Sequence, residues 1–170
     1  LEYKTPGTVM KRLILVRHGK SSWKYDVADD KRPLKKRGFK DGELISNAFE
    51  KFYVPPVTIW SSPAVRAFET AKIFQETLKV EEKSFEVKPS LYTFNKKDLL
   101  NVIRSCNDNV HKLMVFGHNP AMTGAVNELG DKEFDNIPTT GLTVIDFDVT
   151  SWREISDGKT ILNLFPKNLR

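Results

Sequence analysis

Cysteine is nearly absent from this 170-residue sequence, where Cys106 stands alone. No disulfide can close within the chain, so a cysteine-stapled secreted scaffold is excluded and a reducing, cytoplasmic setting is expected. Long apolar runs are missing too. None approaches the roughly 18 residues that a membrane span requires, and no membrane partner is expected. Histidine is scarce: His18, His111 and His118 are the full set, and they lack the spacing of metal ligands. Neither a metal nor another cofactor is therefore expected. The Gly-x-x-x-x-Gly-Lys-Ser/Thr loop of nucleotide hydrolases is absent. Lys112, not arginine, stands six residues after Cys106, so the phosphate loop of a cysteine phosphatase is absent as well. Acidic excess is also lacking. The net charge is +5 and the pI about 9.2, a mild pull on anionic substrates. The densest basic run, Lys31, Arg32, Lys35, Lys36 and Arg37, suits a loop and helix start. It lacks the interleaved aromatics of a nucleic-acid face, and no nucleic-acid partner is expected.

With 39% hydrophobic and 29% charged residues the chain is globular in composition. Its length suits one domain, expected over residues 10–170. The first nine residues, LEYKTPGTV, lack the apolar centre of a signal peptide and read as an extension or appended remnant. KRLILV at 11–16, VTIW at 57–60, FEV at 85–87 and KLMVF at 112–116 read as buried strands. Helical spacing of apolar residues marks 38–52 and 96–105. Ser62-Pro63 and Asn119-Pro120 read as cap-plus-proline starts of helices that run to about Leu78 and Leu129. The segments 142–149, 151–155 and 159–165 alternate like antiparallel strands. The order implies an α/β fold: a three-layer α/β/α sandwich with a largely parallel central sheet and antiparallel C-terminal edge strands. The long polar stretch between the first strand and Arg37 reads as a functional loop.

In parallel sheets, sites form beyond the carboxyl ends of the strands. Arg17-His18-Gly19 follows the first strand, Ser61-Ser62-Pro63 with Arg66 follows the second, and Gly117-His118-Asn119-Pro120 follows LMVF. Two arginines and two histidines thus meet at one sheet edge. Arginine forks match phosphate oxygens bidentately, and helix starts add oriented N–H donors. Gly19 would allow close backbone approach to a phosphate beside His18. A neutral imidazole nitrogen is a competent nucleophile at phosphorus, with the positive groups stabilising the transferring phosphoryl oxygens.

RHG at 17–19, SSPAVRAFETA at 61–71 and GHNP at 117–120 resemble the histidine phosphatase superfamily, also called phosphoglycerate mutase-like, from about Met10 to the last strand. The short length, and DKRPLKKRG at 30–38, resemble its SixA-like phosphohistidine phosphatase branch. The resemblance implies a metal-free enzyme that forms a phosphohistidine on its first histidine. By that likeness His18 is the nucleophile, Arg17, Arg66 and His118 are phosphate ligands, and Arg32 is an additional pocket arginine. Thr139-Thr140-Gly141 resembles the turn before the family's late strand. Expected substrates are a phosphorylated protein, above all one carrying phosphohistidine, or a small phosphate ester; no oligomeric state is legible.

The sequence departs from the broader family at Pro89-Ser90-Leu91-Tyr92, where many members carry a glutamate general acid in place of Ser90. Serine cannot fill that role near neutral pH. Asp29, or failing it Asp30, is the expected proton donor, because both precede Arg32 in the loop able to cover the pocket. Two other readings stay open: phosphoryl transfer of the phosphoglycerate mutase type, for which the chain is short, and a non-catalytic phosphate-binding module, which has no need of the Arg17-His18 pair.

Overall fold

A computed structural model describes residues 10–170. The expectation for residues 1–9 lies outside the described residues. Six strands form one sheet in the order β3-β2-β4-β1-β5-β6. These are β1 (Lys11–Arg17), β2 (Thr58–Ser61), β3 (Phe85–Val87), β4 (Lys112–Gly117), β5 (Leu142–Phe147) and β6 (Lys159–Leu164). β1 to β4 run parallel to one another, whereas β5 and β6 pair antiparallel at one edge. The helices are α1 (Lys36–Glu50), α2 (Val65–Leu78), α3 (Lys96–Arg104), α4 (Ala121–Leu129) and the short α5 (Pro166–Leu169).

The period of two along a strand sorts the core into two sides. Leu13 and Leu15 of β1 join Leu99, Ile103, Met122 and Val126 of α3 and α4. Ile14 and Val16, one residue out of phase, join Ile45, Phe49, Ala71 and Phe74 of α1 and α2. This is the expected three-layer α/β/α arrangement. β1 is apolar over its middle because both of its faces are covered, and its residues from Lys11 to Val16 are buried. Gly38 lets α1 close on the loop after β1, since a Cβ there would run into the carbonyl of Lys20. The C-terminal Arg170 then pins α1 from outside through Asp41, at 2.7 Å.

Three local expectations are corrected. Residues 151–155 form no strand; Trp152–Glu154 is a 3-10 turn. Their alternation comes from Trp152 and Ile155 dropping into the core, with the indole N–H of Trp152 donating to the Val110 carbonyl at 2.7 Å. The helix after β2 starts at Val65 rather than Pro63, and Ala64, not Ser62, is its N-cap. The helix after β4 likewise starts at Ala121, with Pro120 and not Asn119 as its N-cap. The stretch 18–35 is the expected loop, within which Ser21 bridges Leu34 and Asp29–Lys31 makes a 3-10 turn.

Chain order places the site. After β1 the chain crosses to β2 and β3, then returns to insert β4 between β2 and β1. The carboxyl ends of β2, β4 and β1 therefore stand side by side. The ladder continues past them, with His18 N–H donating to Gly117 O and Ser62 N–H to Phe116 O, each at 3.0 Å.

Candidate active site

At this edge a cavity of about 640 Å³ is lined by Arg17, His18, Asp29, Arg32, Arg66, Tyr92, Phe94 and Asn119, among others. A second cavity, about 550 Å³, lies at the amino-terminal ends of the parallel strands among Pro55, Val57 and Lys112, and holds none of the residues expected to carry chemistry.

His18 is 8% exposed. Its Nδ1 lies 2.7 Å from the Gly19 carbonyl, which can only accept, so Nδ1 carries the proton and Nε2 keeps its lone pair. Burial lowers the His18 pKa to about 4, opposed by the Gly19 bond and assisted by the charges of Arg66, Arg17 and Arg32. The ring is neutral at pH 7. Arg66 is buried at the start of α2, and its Nε donates to His18 Nε2 at 3.3 Å. Arg17 donates through Nη1 to the Ile137 carbonyl at 2.8 Å, while its Nε is buried without a partner among the described residues.

His118 is 1% exposed and sits 5.2 Å from His18, centroid to centroid. Its Nε2 bonds Ser62 Oγ at 2.8 Å, and that oxygen accepts from Ala64 N–H. His118 Nδ1 is buried without a partner among the described residues, and His118 stands behind the cavity lining rather than in it. Burial, then the charges of His18 and Arg66, lower its pKa to about 3.

Asp29 ties the loop to the pocket. Its Oδ2 accepts from Tyr92 Oη at 2.6 Å and from Arg66 Nη2 at 3.0 Å. Its carbonyl accepts from Arg66 Nη1 at 2.6 Å, and its Oδ1 from Arg32 Nε at 3.3 Å. The Tyr92 bond first, then Arg66 and Arg32, lower the carboxyl pKa to about 2. Asp29 is thus where the sequence puts it but ionised, the opposite of a ready proton donor. Arg32 is buried, donates to Ser21 Oγ at 2.6 Å and lies 3.6 Å over the Trp23 ring.

The structure brings together Arg17, His18, Asp29, Arg32, Arg66 and His118. Gly19 follows His18 but stands back from the cavity. Its N–H is occupied by Thr70 Oγ1 at 2.9 Å. Its missing side chain serves packing instead, for a Cβ would lie 3.1 Å from both Leu34 and Thr140. Asp30 and the exposed Ser90 do not line the cavity either. Thr140 takes a positive φ of 59° and donates its N–H to the carbonyls of Arg17 and His18, so the expected turn is bolted to the end of β1. Tyr92, Ser62 and Thr70 were not singled out by sequence reasoning. Tyr92 had one signal, its place two residues after the missing glutamate.

The fold and this cluster resemble those of histidine phosphatases. The model of the histidine phosphatase superfamily (branch 1) matches residues 13–92, and over that stretch the chain is similar to that superfamily. Its fold is that of protein histidine phosphatase SixA, solved with tungstate: TM-score 0.76 at 22% identity, over 94% of this chain and 99% of that one. The SixA protein of Agrobacterium tumefaciens gives a TM-score of 0.75 at 24% identity, over 91% and 98%. A mycobacterial glucosyl-3-phosphoglycerate phosphatase gives 0.61 at 12% identity, over 89% and 97%. In sequence, an uncharacterized chloroplastic protein of Arabidopsis thaliana is 29% identical over 160 residues, spanning 88% of this chain and 73% of the relative. No helix among the described residues is long and apolar enough to cross a membrane, and no cluster of three or more acidic, histidine or cysteine side chains among them is arranged to hold a metal ion.

Proposed function

We propose that this protein hydrolyses phosphohistidine on a protein, or a phosphomonoester, through a covalent intermediate on His18, without a metal. The observation that carries the reading is the state of His18: buried, neutral, and tied through Nδ1 so that Nε2 keeps its lone pair, which accepts only the long Arg66 Nε bond at 3.3 Å. His18 Nε2 attacks phosphorus and forms a P–N bond as the P–N or P–O bond to the leaving group breaks. Water then attacks the phosphoryl group, the His18 bond breaks, and inorganic phosphate leaves.

Arg66 and Arg17 supply permanent positive charge beside the phosphoryl oxygens, and His118, its ring 5.2 Å from that of His18, backs the nucleophile from behind. Arg32 is a further pocket donor. An arriving dianion takes over the Arg66 and Arg32 donors that hold Asp29. The carboxylate, now beside negative charge, gains proton affinity and serves as donor to an alkoxide leaving group. Phosphohistidine comes into the reading from the SixA proteins that share the fold, and a small ester from the mycobacterial phosphatase. A cytoplasmic location goes with it, on the strength of the lone cysteine.

The test is turnover of a phosphohistidine protein and of p-nitrophenyl phosphate by wild type and His18→Ala. The phosphoenzyme is trapped under alkaline conditions, because acid destroys a phosphoramidate. Loss of several orders of magnitude in a folded variant is expected, and substantial residual activity refutes the mechanism.

A further inference from the structure

The mouth of the pocket carries exposed aromatic rings that the phosphoryl chemistry does not use. Trp23 is 79% exposed and Phe94 46% exposed, although large apolar side chains are ordinarily covered. Both line the cavity that holds His18, Arg32 and Arg66. They come from separate segments, the loop after β1 and the segment before α3, so no single amphipathic element explains them. Each is held in place from behind. Trp23 lies against the Arg32 guanidinium at 3.6 Å. Phe94 meets His118 at 5.3 Å and Tyr92 at 5.6 Å, both edge-on. The Tyr92 ring is packed on His118 in the same way, and its hydroxyl is occupied by Asp29. Trp23 and Phe94 are therefore braced, with surface left over for a ligand.

We infer that Trp23 and Phe94 form a leaving-group subsite that selects substrates whose phosphoryl group is carried on a flat, unsaturated ring. The inference rests on the reading of the pocket as a phosphate site. With phosphorus held among the arginines, the group it is bonded to must occupy the rest of the cavity and pass these two rings. A flat π-system can stack on them or meet them edge-on, an attraction beyond area burial that a saturated ring of equal size lacks. The Trp23–Arg32 stack also couples the two halves of the pocket. A ring on Trp23 packs against the group that steadies a phosphate donor, so occupancy of the subsite and grip on phosphate reinforce each other.

Binding tests this without relying on turnover. The full chain is titrated calorimetrically with inorganic phosphate, benzylphosphonate and cyclohexylmethylphosphonate. The last two match in charge and size and differ in ring flatness. Wild type binds the benzyl compound roughly three- to tenfold more tightly than the cyclohexyl one. Trp23→Ala and Phe94→Leu each cut that ratio at least twofold, whereas Trp23→Phe keeps most of it. If inorganic phosphate binds and the ratio is near one in wild type, or unchanged in both Trp23→Ala and Phe94→Leu, the subsite is overturned and the phosphate pocket stands. If none of the three anions binds, both fall. A preserved ratio pattern without turnover of p-nitrophenyl phosphate supports the subsite and counts against the catalytic reading alone.

Discussion

Two buried neutral histidines make this fold acid-sensitive in a calculable window. An unfolded imidazole takes its proton near pH 6.5, whereas His18 and His118 do so only near about 4 and about 3. A histidine whose folded pKa is depressed leaves the unfolded state richer in protons between those values. Stability is then fully present above about pH 6.5 and falls as the pH drops through the window. At pH 5 the unfolded imidazole is almost fully protonated and the folded one almost not, which amounts to about 2 kcal/mol per histidine relative to pH 7. Exposures of 8% and 1% mean that little solvent screening reduces this. The pair should therefore remove about 3–4 kcal/mol between pH 7 and pH 5, a large part of a typical domain's stability. His18→Asn, whose amide can still donate to the Gly19 carbonyl, should lose about half as much over the same interval. Urea unfolding at pH 7, 6 and 5 in phosphate-free buffer reads both numbers, and ring-nitrogen NMR reads the His18 tautomer directly. Equal losses in wild type and variant, or a His18 that titrates near 6.5, would refute the assignment of a neutral buried nucleophile.

Four further outcomes follow from the same geometry. Asp29→Asn frees the forks of Arg66 and Arg32 and should tighten inorganic phosphate about tenfold by calorimetry, while slowing alkyl phosphate turnover by ~10²-fold or more and leaving phosphohistidine far less affected. Tyr92→Phe removes the hydrogen bond that contributes most to the depressed Asp29 pKa, so that value should climb from about 2 toward the ordinary carboxyl range, read by carbonyl-carbon NMR. Gly38→Ala forces a methyl group into the Lys20 carbonyl and should destabilise the fold by about 1–3 kcal/mol in urea unfolding. Prolonged EDTA treatment should leave activity intact; loss on chelation, restored by a divalent ion, would turn the reading toward a metallophosphatase.

Much of this was legible in the sequence because short-range pattern carried it. LILV and LMVF are apolar runs bounded by polar or glycine positions, and both faces of their sheet are covered. Arg17, His18 and His118 follow directly on such runs, so locating a strand locates the residue beyond it. The misread segments share one cause. Alternation at 151–155 and the Ser62-Pro63 pair are local signals whose meaning was set by distant partners, the core pocket for Trp152 and the His118 ring for Ser62. The contacts that decide protonation are longer still in sequence. Tyr92 reaches Asp29 across 63 positions and Gly19 reaches Thr70 across 51, separations that no periodicity encodes.

The missing glutamate and the ionised aspartate are best understood together. A carboxylic acid fixed beside the leaving group would be ready for every substrate, alkyl esters included. Here the exposed Ser90 cannot supply one, and Asp29 is held as a counter-ion to Arg66 and Arg32. The same arginine forks can hold either that carboxylate or a phosphoryl group, so the two states exclude each other. On the proposed function, phosphate binding displaces Asp29, and only the displaced carboxylate takes up a proton. That sequence delays the acid relative to the nucleophile, which is neutral from the start. A substrate whose leaving group departs without help, such as a ring-protonated imidazole, needs only the nucleophile and the positive cradle. An alkyl ester has to wait for the second event. On the proposed function the arrangement favours phosphoramidates for the order in which its groups become available, and removing the Asp29 carboxylate should erase the tie between tight phosphate binding and alkyl ester turnover.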